Sequence, residues 1–152
     1  MRQKSASLSV RPIVASDRDD WQHLWTGYLE FYDSTVPPEV YEKTFERLLD
    51  NDPMTPMGLI AQLDNEAVGL VHYFLHYHAW KVEKVCYLQD LFTLPAARGH
   101  GVGRALIEAV YEKADHLGAP NVYWTTQDFN ETARKLYDRV GKLSPFIKYV
   151  RE

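Results

Sequence analysis

Residues 98–104 read Arg-Gly-His-Gly-Val-Gly-Arg, directly after an apolar run from Val85 to Leu94 whose only acid is Asp90. Beyond them Leu106, Ile107, Val110, Ala114 and Leu117 recur at spacings of one, three, four and three, the stripe of a helix that ends near Gly118. The order is therefore strand, tight loop, helix. The first N–H groups of such a helix have no partner within it, and glycines lack the Cβ atoms that would keep a ligand away from them. The chemistry this predicts is anion binding, most naturally of a phosphate or pyrophosphate. Gly99, Gly101 and Gly103 are spaced two and two, unlike a G-x-G-x-x-G dinucleotide fingerprint, and no Gly-Lys-Ser/Thr follows as in a P-loop. A nucleotide-binding switch is disfavoured on both counts.

Three further groups of residues could do chemistry. Tyr28, Glu30, Tyr32 and Asp33 combine rings with acids, a composition that holds an ammonium group by ion pairing and cation–π contact. His72, His76 and His78 alternate in phase on one strand, but no strand-spaced cysteine or carboxylate completes a metal set. Cys86 lies within the apolar run before the glycines and reads as a buried structural thiol rather than a nucleophile.

The elements that must position these residues follow in order. Residues 1–6 read as a loose tail, and Leu8, Val10 and Ile13 as a first strand. Ser16 and Asp19 resemble a capping box before a helix whose Trp21, Leu24 and Trp25 belong to the core. Pro37-Pro38 starts a second helix with Val40, Phe45, Leu48 and Leu49 on its apolar side, and residues 34–56 read as a mobile cover over a cleft. Leu59–Leu63 and Ala67–Trp80 flank the turn Asp64-Asn65-Glu66. After the glycine-loop helix come a strand over Val122–Thr126, a last helix with Ala133, Leu136, Tyr137 and Val140 along one side and Gly141 as its stop, and a final strand over Leu143–Val150.

A chain of 152 residues, 45% apolar and 13% aromatic, suffices for one domain with one core, spanning 1–152. Its net charge of −4 argues against a general nucleic-acid binder and suits cationic partners. One cysteine allows no internal disulfide and points to a reducing compartment. With no signal peptide or apolar stretch of about 20 residues, the expectation is a soluble, cytoplasmic protein that does not engage membranes.

Arg98, Gly101 and Gly103 fill the Gln/Arg-x-x-Gly-x-Gly/Ala pattern of the acetyl-CoA loop, so the chain resembles the GNAT superfamily of N-acetyltransferases. Asn130, Ala133, Leu136, Tyr137 and Gly141 are similar to that superfamily's second motif, and the likeness covers roughly residues 57–141. Leu88-Gln89-Asp90-Leu91-Phe92 is similar to the strand of the diamine (spermidine/spermine) acetyltransferases, although Gln89 stands where those enzymes carry glutamate. The resemblance implies a three-layer α/β (α+β) fold with a mixed, mostly antiparallel sheet of six to seven strands and four helices. It implies acetyl-CoA as cosubstrate and no metal. Leu91, Phe92 and Thr93 would pair with the pantetheine arm, and the segment Arg98, Gly99, His100, Gly101, Val102, Gly103 and Arg104 would hold the pyrophosphate. Asn130 and Ala133 would meet the pantetheine end. A neutral amine must attack the thioester, so a base is needed; Asp90 is the candidate, with Tyr137 as the acid for the departing thiolate. Tyr28, Glu30, Asp33 and Gln89 are the expected acceptor contacts, for a small polyamine, an amino-acid-like amine or a lysine side chain. The alternative is a non-catalytic acyl-CoA-binding or interaction module of the same fold. Aromatic residues in the first helix and the final strand are compatible with a homodimer.

Overall fold

The computed structural model describes residues 7–152, so the loose tail expected over residues 1–6 lies outside the described residues. Strands β1 (Leu8–Pro12), β2 (Met57–Leu63), β3 (Glu66–His76), β4 (Val85–Thr93) and β5 (Val122–Tyr123) form one sheet in that order. Neighbours are antiparallel except β4 and β5, which run parallel. Helices α1 (Arg18–Phe31) and α2 (Pro38–Leu48) pack on one face of the sheet; α3 (Val102–His116) lies on the other and carries α4 (Glu131–Val140) beside it. The expected three layers, mixed sheet and four helices are present. Among the described residues the sheet has five strands, not six to seven.

The missing strand is the one expected over Leu143–Val150. Phe146, Ile147, Tyr149 and Val150 are all exposed, with no ladder to join. Their β-branched and aromatic composition favours an extended chain, but strand formation also requires an edge to pair with, and local composition does not provide one. Two other strands are shorter than expected for the same reason. β3 stops at His76 because its partner begins at the opposed Val85, and β5 pairs only through Cys86–Val122 and Tyr87–Tyr123.

The turn between β2 and β3 consists of Asp64 and Asn65 with φ of 52° and 69°. Two successive positive φ values match the right-handed twist of a two-residue hairpin, and Asp and Asn tolerate them. At the start of α1 the expected Ser16/Asp19 cap is absent. Asp17 stands at the N-cap but its side chain does not cap the helix: its carboxylate accepts from the Val14 N–H at 2.8 Å and from both Arg11 amino groups at 2.7 and 2.8 Å, and Arg11 holds it below the usual carboxylate range. A short 3-10 turn, Ala15–Asp17, brings the acid there.

Two apolar layers meet across the sheet. Leu59, Val71, Leu75, Cys86 and Leu88 face α3 through Leu106, Ile107 and Val110. Ile60, Leu70 and Phe92 face Trp21, Leu24, Phe45 and Leu48 of the first two helices. The expected cover over 34–56 is thus anchored, since α2 drives Phe45 and Leu48 into this second layer. A Cβ on Gly27 would stand 2.8 Å from the Phe92 ring, so the absent side chain is what lets α1 settle onto β4.

Candidate active site

The site is built around a fault in the β3–β4 ladder. His72 pairs with Asp90 and Tyr73 with Leu88, so Gln89 is an extra residue with no partner. A bulge of this kind interrupts the alternation of side chains. Leu88 and Leu91 consequently both pack on the α3 side, whereas Phe92 packs on the α1 side and Asp90 meets His72.

Asp90 is 9% exposed and His72 3%. A buried carboxylate is costly unless paired, and here Asp90 Oδ2 lies 2.8 Å from His72 Nδ1. The fully buried Trp21 donates its Nε1–H to His72 Nε2 at 2.9 Å. Indole nitrogen is a donor only, so Nε2 must accept, and the ring proton sits on Nδ1 facing the acid.

Tyr28 on α1 and Tyr32 just past its end have ring centroids 5.1 Å from each other, and both phenols feel the charge of this carboxylate. Burial, and then the Asp90 charge, push both hydroxyls above their ordinary range. The hydroxyl of Tyr137 on α4 is pushed up to about 12, chiefly by burial and then by the Tyr32 charge. Tyr137 is held edge-on against Trp124 at 5.5 Å.

The other expected acceptor contacts divide. Tyr28 faces Asp90. Glu30 is exposed, two residues further along α1, where a helix does not present both side chains to one neighbour. Asp33 is exposed at φ 52° beyond the helix end, and Gln89 is exposed on the bulge.

At the glycine loop, Gly99 and Gly101 adopt φ of 85° and 76°, and the space where either Cβ would sit is open. Gly101 is the N-cap of α3, which leaves the first-turn amides of Val102, Gly103 and Arg104 facing outward. Arg98 is exposed, while the Val102 side chain is buried in the core, so only its backbone is available. His100 donates from Nδ1 to the Ala97 carbonyl at 3.1 Å, which braces the loop. The Arg104 guanidinium is engaged by Glu108 at 2.8 Å and points along the helix. Beyond Tyr87 the β5 side of β4 is unpaired, which leaves the edge at Leu91, Phe92 and Thr93 free. Asn130 Oδ1 accepts the Ala133 N–H at 3.2 Å as the cap of α4; the amide nitrogen of Asn130 remains available to donate, and Ala133 contributes structurally. A linear molecule with a diphosphate at one end and amide groups in its arm fits this open edge, loop and cap.

The three histidines do not converge. His76 donates to the Tyr77 carbonyl and accepts from the Tyr123 hydroxyl at 2.7 Å, and His78 accepts from the Trp80 N–H. Among the described residues no group of three or more potential ligands could hold a metal ion. The pairing of His72 with Asp90 and Trp21 is absent from the expectations above. Aligning the two strands with an allowance for one bulge is the signal that would have found it.

Residues 19–141 match the model of the acetyltransferase (GNAT) family. The chain belongs to this family and is an N-acetyltransferase. The D-amino-acid N-acetyltransferase HPA3 of Saccharomyces cerevisiae is 40% identical over 147 residues, covering 95% of this chain and 90% of that one. A thialysine N-epsilon-acetyltransferase of Bos taurus is 34% identical over 74 residues, covering 49% of this chain and 43% of its own. The fold superposes on the aminoglycoside N-acetyltransferase AAC(6')-Iy in complex with CoA with a TM-score of 0.84, over 100% of this chain and 99% of that one, at 19% identity.

Proposed function

We propose that this chain transfers the acetyl group of acetyl-CoA directly to the primary amine of a small amino-acid-like acceptor, with Asp90 as base and Tyr137 as acid. What supports the reading is the buried Asp90 carboxylate, held by His72 on the strand whose edge at Leu91, Phe92 and Thr93 is unpaired. An ammonium has no lone pair, so its proton passes to Asp90, directly or through water, before attack. The amine nitrogen then bonds to the thioester carbon and the carbon–sulfur bond breaks. As the carbonyl oxygen gains charge, a β4 amide near Phe92 donates to it. Tyr137 delivers its proton to the departing sulfur, and the second proton, shed by the newly acylated nitrogen, returns the phenolate to the phenol. A phenol held near 12 still carries that proton at neutral pH, as an acid must. The diphosphate rests on the first-turn amides of α3.

Amino-acid acceptors fit this chain better than diamines. Gln89 replaces the carboxylate of the diamine pattern, Glu30 and Asp33 stand off from Tyr28, and HPA3 and the thialysine enzyme are named for amino-acid amines. A thiol-release assay over D- and L-amino acids, thialysine and spermidine tests this. Turnover of the amino acids with little of spermidine is expected; the reverse order overturns the acceptor assignment. Calorimetry that detects no CoA uptake overturns the cosubstrate.

The exposed Phe146, Ile147, Tyr149 and Val150 support a homodimer in which a second copy covers them. The aromatic residues Trp21 and Trp25 of α1 are consumed by the core and lend that reading nothing.

A further inference from the structure

We propose that Trp21 locks His72 as a neutral Nδ1–H donor, and that this pair is a positioning device that fixes the Asp90 carboxylate while leaving it able to accept a proton. The inference rests on Asp90 as the base and adds what prepares it. The chain of contacts is continuous, Trp21 Nε1 to His72 Nε2 at 2.9 Å and His72 Nδ1 to Asp90 Oδ2 at 2.8 Å, and every member is buried.

The chemistry turns on the far side of the imidazole. A carboxylate beside a histidine favours the doubly protonated, cationic ring. An imidazolium at this distance would stabilise the charged acid and make it a poorer base. Here the second proton would have to sit on Nε2, where the Trp21 N–H already points, and two donors cannot share one bond. Trp21 cannot swing aside, since it stacks on Trp25 at 5.2 Å and lies against Phe45 at 5.1 Å. Of the two indoles against His72 only Trp21 reaches a ring nitrogen; Trp25 Nε1 is buried without a partner. The neutral ring therefore orients the carboxylate through one oxygen and adds no net charge.

The titratable groups facing Asp90 among the described residues are His72 from β3, Tyr28 from α1 and Tyr32 just past the end of that helix. Imidazoles titrate near ~6.5 and phenols near ~10, so an effect in weakly acid solution reports on the imidazole rather than on the phenols.

Nitrogen-15 NMR of the intact chain labelled at histidine reads the lock directly. His72 should show the Nδ1–H neutral tautomer from pH 8 to pH 5.5; an imidazolium signal within that range overturns the proposal. Kinetics supply a second reading. In Trp21→Phe the freed Nε2 can take a proton, so kcat/KM should acquire an acid limb that the native enzyme lacks and fall about tenfold further than it by pH ~5.5. The double variant Trp21→Phe/His72→Gln, which keeps a neutral side-chain donor, should lack that limb. A native-like profile in Trp21→Phe overturns the proposal, and if this variant does not fold the NMR result decides. Should Asp90→Asn retain full turnover, the base assignment falls while the tautomer of His72 is still read independently, so the two failures are distinguishable.

Discussion

Gln89 has no partner across the ladder, and Asp90 next to it meets His72 on the α1 side of the sheet because the bulge takes up that extra residue. Replacing Asp90 with asparagine keeps the shape but removes the base. We expect kcat to fall about 10²–10⁴-fold, the usual share of general acid–base help, with CoA affinity within a few fold by calorimetry. Deleting Gln89 removes the bulge but leaves Leu88 opposite Tyr73 and Asp90 opposite His72 in regular alternation, so the acid should keep the α1 side; a deletion variant that folds by circular dichroism yet loses the His72–Asp90 pair by NMR would contradict this account.

Tyr137→Phe removes one hydroxyl and retains the ring that packs on Trp124. Acetyl-CoA binding should persist while kcat drops roughly 10²-fold or more. Because burial holds this phenol at about 12, it stays protonated as pH rises, and native kcat should show no alkaline loss from it up to about pH 10. An unchanged kcat in the variant removes Tyr137 from the mechanism.

Gly101 occupies φ 76° at the mouth of α3, a conformation that costs a residue with a Cβ roughly 1–2 kcal/mol. Nothing lies near the missing methyl, so in Gly101→Ala the penalty is borne by the backbone alone. We expect lower thermal stability together with CoA affinity weakened by about tenfold, or ~1.4 kcal/mol. Gly103→Ala, inside the helix and 3.2 Å from Leu136, should be milder in stability; the opposite ranking in thermal unfolding would refute the assignment.

Cys86 is fully buried between β4 and α3, and burial pushes its thiol up to about 12. Thiolate is the reactive form. A disulfide reagent at pH 8 should therefore detect no thiol in the native protein and one after denaturation, which also keeps the thiol-release assay free of background. Rapid modification of the folded chain would show that this strand opens.

Serine at Phe146, Ile147 and Tyr149 strips the exposed apolar segment after α4 without touching either core layer. If a second copy covers it, sedimentation should give twice the chain mass for the native protein and the chain mass for the variant. The same mass for both would dismiss this interface.

Local pattern in the chain accounts for much of this molecule. The apolar periodicity of 106–117, the proline start of α2, the Asp64-Asn65 turn and the Gly99–Gly103 loop each depend on neighbours a few residues apart, and each forms where its residues call for it. The likeness to the acetyltransferases drew on the same short-range motifs. Pairing at a distance decided the remainder. The bulge at Gln89 determines which face Asp90 takes, and no residue beside it announces that choice. His72 gained its partners from α1 and β4, 51 and 18 positions away. Leu143–Val150 is composed as a strand yet lies unpaired, because extended backbone needs the hydrogen bonds of another edge to become a sheet, and that edge is a property of the folded assembly rather than of the segment.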